Sequence, residues 1–183
     1  MMRKSLTDLT KSRVEEWEYC VINKLFTKLE LKCHRANFDK LRDTSQKPTK
    51  EFDLPLVNAK IGGNGIMFYG RTEDFDSAEM TIDIISNGAV ATGTVYPQVH
   101  RVGVLWDAYL IKSKLNVTES QLKFMATSIQ KSIKQRFGWE NKAVWSKVQK
   151  ECIQLPTQNG QIDYQFMSDF IKVIEKLVIK DLV

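Results

Sequence analysis

The sequence predicts an α+β fold: a compact twisted β unit with one flanking amphipathic helix and a second helix at its C-terminal side. Three observations carry this. The blocks LPLVNAKIGGNGIMFYG (Leu54 to Gly70) and MTIDIISNGAVATGTVYP (Met80 to Pro97) are rich in Val, Ile, Tyr and Thr and are broken by Gly-Gly and Asn-Gly pairs, the signature of strands and tight turns. Leu122, Met125, Ala126, Ile129 and Ile133 recur at spacings of three and four, which places them on one face of a helix. Phe166, Phe170, Val173, Ile174, Leu177 and Val178 repeat the same pattern near the C-terminus.

In order along the chain, Met1 to Glu16 is polar with scattered Leu6, Leu9 and Val14, and reads as a short lead-in helix. Trp17, Tyr19 and Val21 alternate before Leu25 and Phe26, giving a strand that runs into a helical turn. Lys28 to Asp53 is basic and polar and reads as a long loop. Within the central blocks, strands are expected at Leu54 to Ala59 and Ile66 to Tyr69, about a turn at Ile61 to Gly65. Further strands are expected at Met80 to Ile85 and Ala89 to Tyr96, about Asn87-Gly88, and at Val102 to Ile111. Arg71 to Glu79 reads as a surface loop. Thr118 with Gln121 three residues on makes a capping box, and Gly138 ends the helix it starts. Ile153 to Pro156 reads as a short strand end, Thr157 to Gln161 as a turn, and Asp163 as the cap of the last helix. That helix must be covered, either by its own domain or by a second copy in a short coiled coil. The boundaries are therefore 1–16 for the lead-in, 17–160 for the domain and 161–183 for the spacer or coiled-coil helix.

Hydrophobic and charged fractions of 43% and 27% are those of a globular domain. No apolar run reaches the roughly 18 to 20 residues that span a bilayer, so a cytoplasmic protein is expected. Three scattered cysteines, Cys20, Cys33 and Cys152, predict reduced thiols rather than a disulfide framework. The net charge of +5 is unevenly spread: basic residues outnumber acidic ones eight to two between Ser113 and Lys150. A second basic cluster, Lys32, Arg35, Lys40, Arg42, Lys47 and Lys50, faces only Asp39 and Asp43. Localised basic surface among Asn, Gln and aromatic residues is the footprint of nucleic-acid binding, against the plainer reading of a solvated face.

Catalytic patterns are missing from the sequence. Gly62, Gly63 and Gly65 lack the Lys-Ser/Thr ending of a phosphate-binding loop and read as a turn. With only His34 and His100 there is no metal-ligand spacing, and Cys33 beside His34 reads as a core thiol next to a surface imidazole. No cofactor or metal is expected. Trp139 and Trp145 in WENKAVWSKV read first as packing residues and second as base-stacking platforms.

The ordered set Trp17, Ile22, Leu25-Phe26, LPLVNAKIGGNGIMFYG, TIDIISNGAVATGTVYP, QRFGWENK, IQLPTQNGQID and FMSDFI resembles a target recognition domain. Such domains belong to the specificity subunits of type I restriction-modification systems and to related type IIB and IIG enzymes. The resemblance covers Trp17 to about Lys176. It implies a non-catalytic, sequence-reading domain for double-stranded DNA, acting with a DNA methyltransferase subunit and an endonuclease subunit. Full specificity subunits carry two such domains and this chain has room for one, so it looks like an excised domain or like a half subunit, two copies of which would dimerise through Phe166, Phe170, Val173, Ile174, Leu177 and Val178. The adenine methyltransferase motif is absent, because Pro48, Pro55, Pro97 and Pro156 are all isolated. Under this reading Arg35, Lys40, Arg42, Lys131, Lys134 and Lys147 neutralise phosphates, while Asn58, Lys60, Asn64, Arg71, Asn141 and Lys142 read base edges. Lys134→Glu is then expected to weaken binding to all sequences alike. The competing readings are a protein-interaction module and a small DNA-modifying enzyme using Glu73, Asp74 and Asp76.

Overall fold

The computed structural model describes Val14 and residues 16–181. The lead-in helix expected over 1–16 lies outside the described residues, except for Val14, which has no regular structure, and Glu16, which opens the first strand.

Among the described residues, three small sheets and two substantial helices make up the α+β fold. Strand β1 (Glu16–Val21) runs into helical turn α1 (Ile22–Leu25) and strand β2 (Phe26–Lys28), as the Trp17 to Phe26 pattern predicts. The following segment is mostly irregular and holds one short helix, α2 (Lys40–Asp43), whose cap Asp39 accepts from the Leu41 and Arg42 amides. Strands β3 (Leu54–Val57) and β4 (Ile66–Gly70) form a hairpin, and β7 (Gly103–Val104) joins β3 in parallel to complete a small sheet, β4-β3-β7. The main sheet, β2-β8-β5-β6, combines β2 with β5 (Thr81–Ile85), β6 (Val95–Gln98) and β8 (Ala108–Ser113). The third sheet joins β1 to β9 (Cys152–Gln158) and β10 (Gln161–Ile162).

Two expected strands are interrupted. The Val102 to Ile111 run breaks at Leu105 to Asp107 and feeds two different sheets. Asp107 explains the break, because its amide donates to Asn58 Oδ1 and its carbonyl accepts from the Ser86 and Asn87 amides, so its backbone is taken out of any ladder. In the Ala89 to Tyr96 run, Ala89–Ala91 is a 3-10 turn and the strand starts only at Val95. Gly93, at φ +74, lies so close to the main helix that an added Cβ would sit 3.4 Å from Lys134 Cα. The Asn87-Gly88 pair thus opens a longer loop rather than a two-residue hairpin.

The main helix, α3 (Glu119–Ile133), starts at the predicted capping box, with Thr118 and Gln121 exchanging both hydrogen bonds. Thr118→Ala is expected to cost about 1 kcal/mol, read as a lower urea midpoint with an unchanged slope. All five residues of its apolar stripe are buried, packed on Ile82, Ile84, Tyr109 and Ile111 of the main sheet. Short α4 (Trp145–Val148) follows, with the Trp145 ring edge-on to Tyr109 at 6.2 Å, so this tryptophan is a packing residue.

The last helix, α5 (Tyr164–Asp181), is capped by Asp163, whose carboxylate accepts from the Phe166 amide. Its first half belongs to the core of the domain. Phe166 is buried against the rings of Trp17, Phe124 and Phe170, and Phe170 packs on Phe124 at 5.7 Å. Both residues, expected to face a partner, are therefore corrected to intramolecular packing: α3 presents Phe124 outside its main stripe, and these aromatics cover it. Past Lys123–Glu175 the apolar side of α5 is open, and Leu177, Val178 and Ile179 are exposed.

Candidate nucleic-acid interface

The sheet topology gathers four loops at one end of the domain. The β3–β4 turn, the β5–β6 loop and the β7–β8 bend all leave from that end, because β7 runs parallel to β3 and the start of β8 pairs with the end of β5. Hydrogen bonds tie them together. Asn87 Nδ2 donates to Asp107 Oδ1 at 3.0 Å, and the Ala143 amide donates to Ser86 O at 3.0 Å, which brings in the segment after α3. Lys60, Asn141, Lys142 and Lys147 all sit on this end.

The expected site residues fare differently within it. Lys142 is exposed and holds no ion pair or hydrogen bond among the described residues, and the same holds for Lys131 on the outer side of α3. Lys147 is exposed and donates to Asn141 Oδ1 at 2.8 Å, while Asn141 donates to the Arg136 carbonyl in the turn after α3. Lys60 is exposed and bonds to Ile66 O across its own turn. Asn64 holds φ +54 and donates to Pro97 O and Gln98 Oε1.

Asn58, expected to read a base edge, and Lys134, expected to neutralise phosphate, are corrected to structural residues. Asn58 is 4% exposed, its oxygen is taken by the Asp107 amide and its nitrogen lies against Met67. Such a side chain cannot reach a base edge. Lys134 Nζ donates to Val90 O at 2.7 Å, Thr92 O at 3.1 Å and Thr94 Oγ1 at 2.7 Å, so all three of its donors are spent on the β5–β6 loop. Burial pushes its pKa down, in keeping with a neutral-partnered ammonium.

The second basic cluster lies at the opposite end of the small sheet, beyond Gly70, and is balanced by acids. Asp43, whose side chain is wholly buried, forms ion pairs with Arg35 at 2.8 Å, Arg42 at 2.7 Å and Arg71 at 3.4 Å. The hydrogen bonds from Arg42 hold its carboxyl well below the usual carboxylate range. Arg71 also pairs with Glu51 at 2.6 Å and Asp74 at 3.3 Å, and its guanidinium covers the Phe52 ring. Arg35, Arg42 and Arg71 thus brace the long loop, three cations against Asp43, Asp74 and Glu51. Lys40, exposed, lies over the Phe68 ring at 5.4 Å. The Arg71 to Glu79 stretch is likewise more than a surface loop, since Asp74 and Phe75 are buried.

Cys33 is exposed, not in the core, and His34 Nε2 lies 2.7 Å from Asp76 Oδ1. The hydrogen bond with His34 holds the Asp76 carboxyl below its usual range. Among the described residues no three His, Cys, Asp or Glu side chains converge as a metal site, and no helix is long and apolar enough to cross a membrane.

Sequence reading missed the exposed Trp106 at the loop end, 60% accessible, and took Trp139, 74% accessible, first as a packing residue. Trp106 stands in an apolar-looking stretch, and only the bend at Asp107 turns it outward. A groove of about 710 Å³ also escaped notice; it lies between α3, α5 and the β1–β9 face and includes Trp17, Tyr19 and Lys131.

No protein-family model matches this sequence, and no curated protein matches it by sequence. Its fold is similar to that of part of a type I restriction-modification S subunit. Over 91% of the chain it superposes, at a TM-score of 0.60 and 16% identity, on the type I restriction-modification S subunit of M. genitalium. The match takes in 40% of that subunit, so the chain spans about two fifths of its length. The HsdS subunit of Thermoanaerobacter tengcongensis aligns over 96% of the chain and 42% of its own length at 9% identity, with a TM-score of 0.49. The type IIG restriction endonuclease BpuSI aligns over 93% of the chain and 28% of its own at 10% identity, with a TM-score of 0.40.

Proposed function

We propose that this chain is a DNA-specificity component of a restriction-modification system. It binds one half of a bipartite duplex target in the cytoplasm, directs partner methyltransferase and endonuclease chains, and performs no catalysis itself. The observation that supports this most is the specificity-subunit fold over nearly the whole chain, with four tied loops at one end that carry exposed lysines, Lys142 among them without a partner among the described residues. Lys60, Asn141, Lys142 and Lys147 form the DNA-facing set, Lys142 and Lys147 as phosphate contacts. A homodimer through the open end of α5, at Leu177, Val178 and Ile179 with the half-buried Val173 and Ile174 beside them, would place two copies on a two-fold target.

The test is selection of a randomised duplex pool by the purified chain, with and without a methyltransferase partner, followed by sequencing. An enriched split site supports the reading; no salt-dependent binding in either case removes it. With binding in hand, replacing Lys142 and Lys147 together by Ala is expected to weaken all sequences equally and reduce the slope of log K on log salt by about 2. Exposed Trp106 and Trp139 favour the interaction-module reading instead, and a stable protein complex without DNA affinity would select it.

A further inference from the structure

Beneath the β3–β4 turn lies a carboxyl that nothing else in the fold uses. Asp83, in the middle of β5, is wholly buried, stands opposite Tyr96 on β6 and Leu110 on β8, and faces the small sheet rather than α3. Neither of its oxygens has a hydrogen-bond partner among the described residues, and the same is true of the buried Thr81 hydroxyl two residues before it on the same face. Among the described residues, the charged and titratable groups around it supply no cation. β6 offers the Tyr96 phenol. β8 offers Tyr109, on the helix side, and Lys112, which is exposed and points its ammonium at Glu79 O. The turn itself offers Lys60, spent on Ile66 O.

The turn rests directly on this carboxyl. Gly62, Gly63, Asn64 and Gly65 all have φ between +54° and +81°, and a Cβ added to Gly65 would lie 2.6 Å from Asp83 Oδ2. Its fastenings are neutral hydrogen bonds to β6: the Gly62 amide to Tyr96 Oη at 2.8 Å, Asn64 Nδ2 to Gln98 Oε1 at 2.9 Å, and Gln98 Nε2 to Asn64 O at 2.8 Å. Residues 60–64 are exposed, so lifting them uncovers little apolar surface. Strands close the other sides, which leaves the turn as the short way for water to reach Asp83.

We propose that the Ile61 to Gly65 turn is a proton-controlled lid over Asp83, closed while the carboxyl holds its proton and lifted when the proton is lost. A buried carboxylate without a cation or donor is costly, and hydration after opening relieves that cost. Burial raises the Asp83 pKa well above the ordinary value, so the closed form binds the extra proton. The sign follows: the lid's stability is complete below the ordinary carboxyl range and declines as pH rises toward the closed-state value. Lys60 and Asn64 ride on the lid, so DNA affinity should fall with it; that consequence rests on the function proposed above, whereas opening itself is measured without DNA.

The experiment is hydrogen exchange of the free protein from roughly pH 6 to 9, expressed as protection factors, which remove the intrinsic pH dependence. Protection of the Gly62, Gly65 and Asn58 amides is expected to fall by up to about tenfold per pH unit in the wild type. Asp83→Asn should hold it constant, and Gly65→Ala should lower it at every pH. A carbon-13 carboxyl titration should show Asp83 losing its proton above the ordinary carboxyl range, over the same pH span in which protection falls. A flat wild-type profile, an unchanged slope in Asp83→Asn, an Asp83 that titrates in the ordinary carboxyl range, or an equal fall at the Ile84 and Leu110 amides of the main sheet would each overturn the lid.

Discussion

Lys134→Glu is expected to destabilise the domain by about 3 kcal/mol rather than to weaken DNA binding selectively. The substitution removes an ammonium that satisfies Thr92 O and Thr94 Oγ1, on residues 2% and 7% exposed, together with Val90 O, and puts a carboxylate among those acceptors. Each buried acceptor left alone costs about 1 to 3 kcal/mol, and like-charge repulsion adds to it. Lys134→Met, which keeps the stem and leaves the same two buried acceptors alone but adds no repulsion, should cost about 2 kcal/mol. Urea midpoints of the two variants check this. A normal midpoint for Lys134→Glu together with lowered DNA affinity and a shallower salt slope would return Lys134 to the interface.

Lys134 also shows where sequence legibility stops. Its position on α3 was readable, since helix period and the Thr118–Gln121 box fix which residues face the sheet. Its partner was not, because the β5–β6 loop comes from forty residues earlier and its course depends on the lysine that clasps it. The same holds for Arg35, Arg42 and Arg71. Local composition shows a basic loop, whereas the acids that balance it include Asp74 and Glu51 as well as Asp43, and only the fold brings them together. Hairpin β3–β4 and the β5 strand were legible because their signals are local: β-branched residues alternate and glycines mark the turn. The β1–β9 ladder pairs Glu16 with Thr157 and left no sequence trace beyond a short apolar run. For the candidate site, exposed turn residues such as Lys60 and Lys142 were findable from turn chemistry. Asn58 sat in an equally polar turn but was claimed by the Asp107 amide, a long-range bond that no local pattern signals.

Phe166→Ala and Leu177→Asp divide the last helix into its two roles. Phe166 is 1% exposed and contacts three aromatic rings on β1, α3 and α5, so truncation leaves a cavity where the helix joins the domain. A loss of about 3 to 5 kcal/mol is expected, measured by urea or thermal unfolding. Leu177 is 41% exposed and lies beyond the last ion pair to α3, so an aspartate there should leave the isolated domain within about 0.5 kcal/mol of the wild type. Under the homodimer proposal, its effect appears instead in sedimentation: a carboxylate in the apolar seam should shift dimer to monomer at equal protein concentration. If Leu177→Asp sediments as the wild type does, the open stripe is not the joint between copies. If Phe166→Ala keeps its unfolding midpoint, the first turns of α5 are not part of the core, and the whole helix returns to the role of a projecting spacer. The two variants together therefore fix how much of the helix belongs to the domain and how much is left for a second chain.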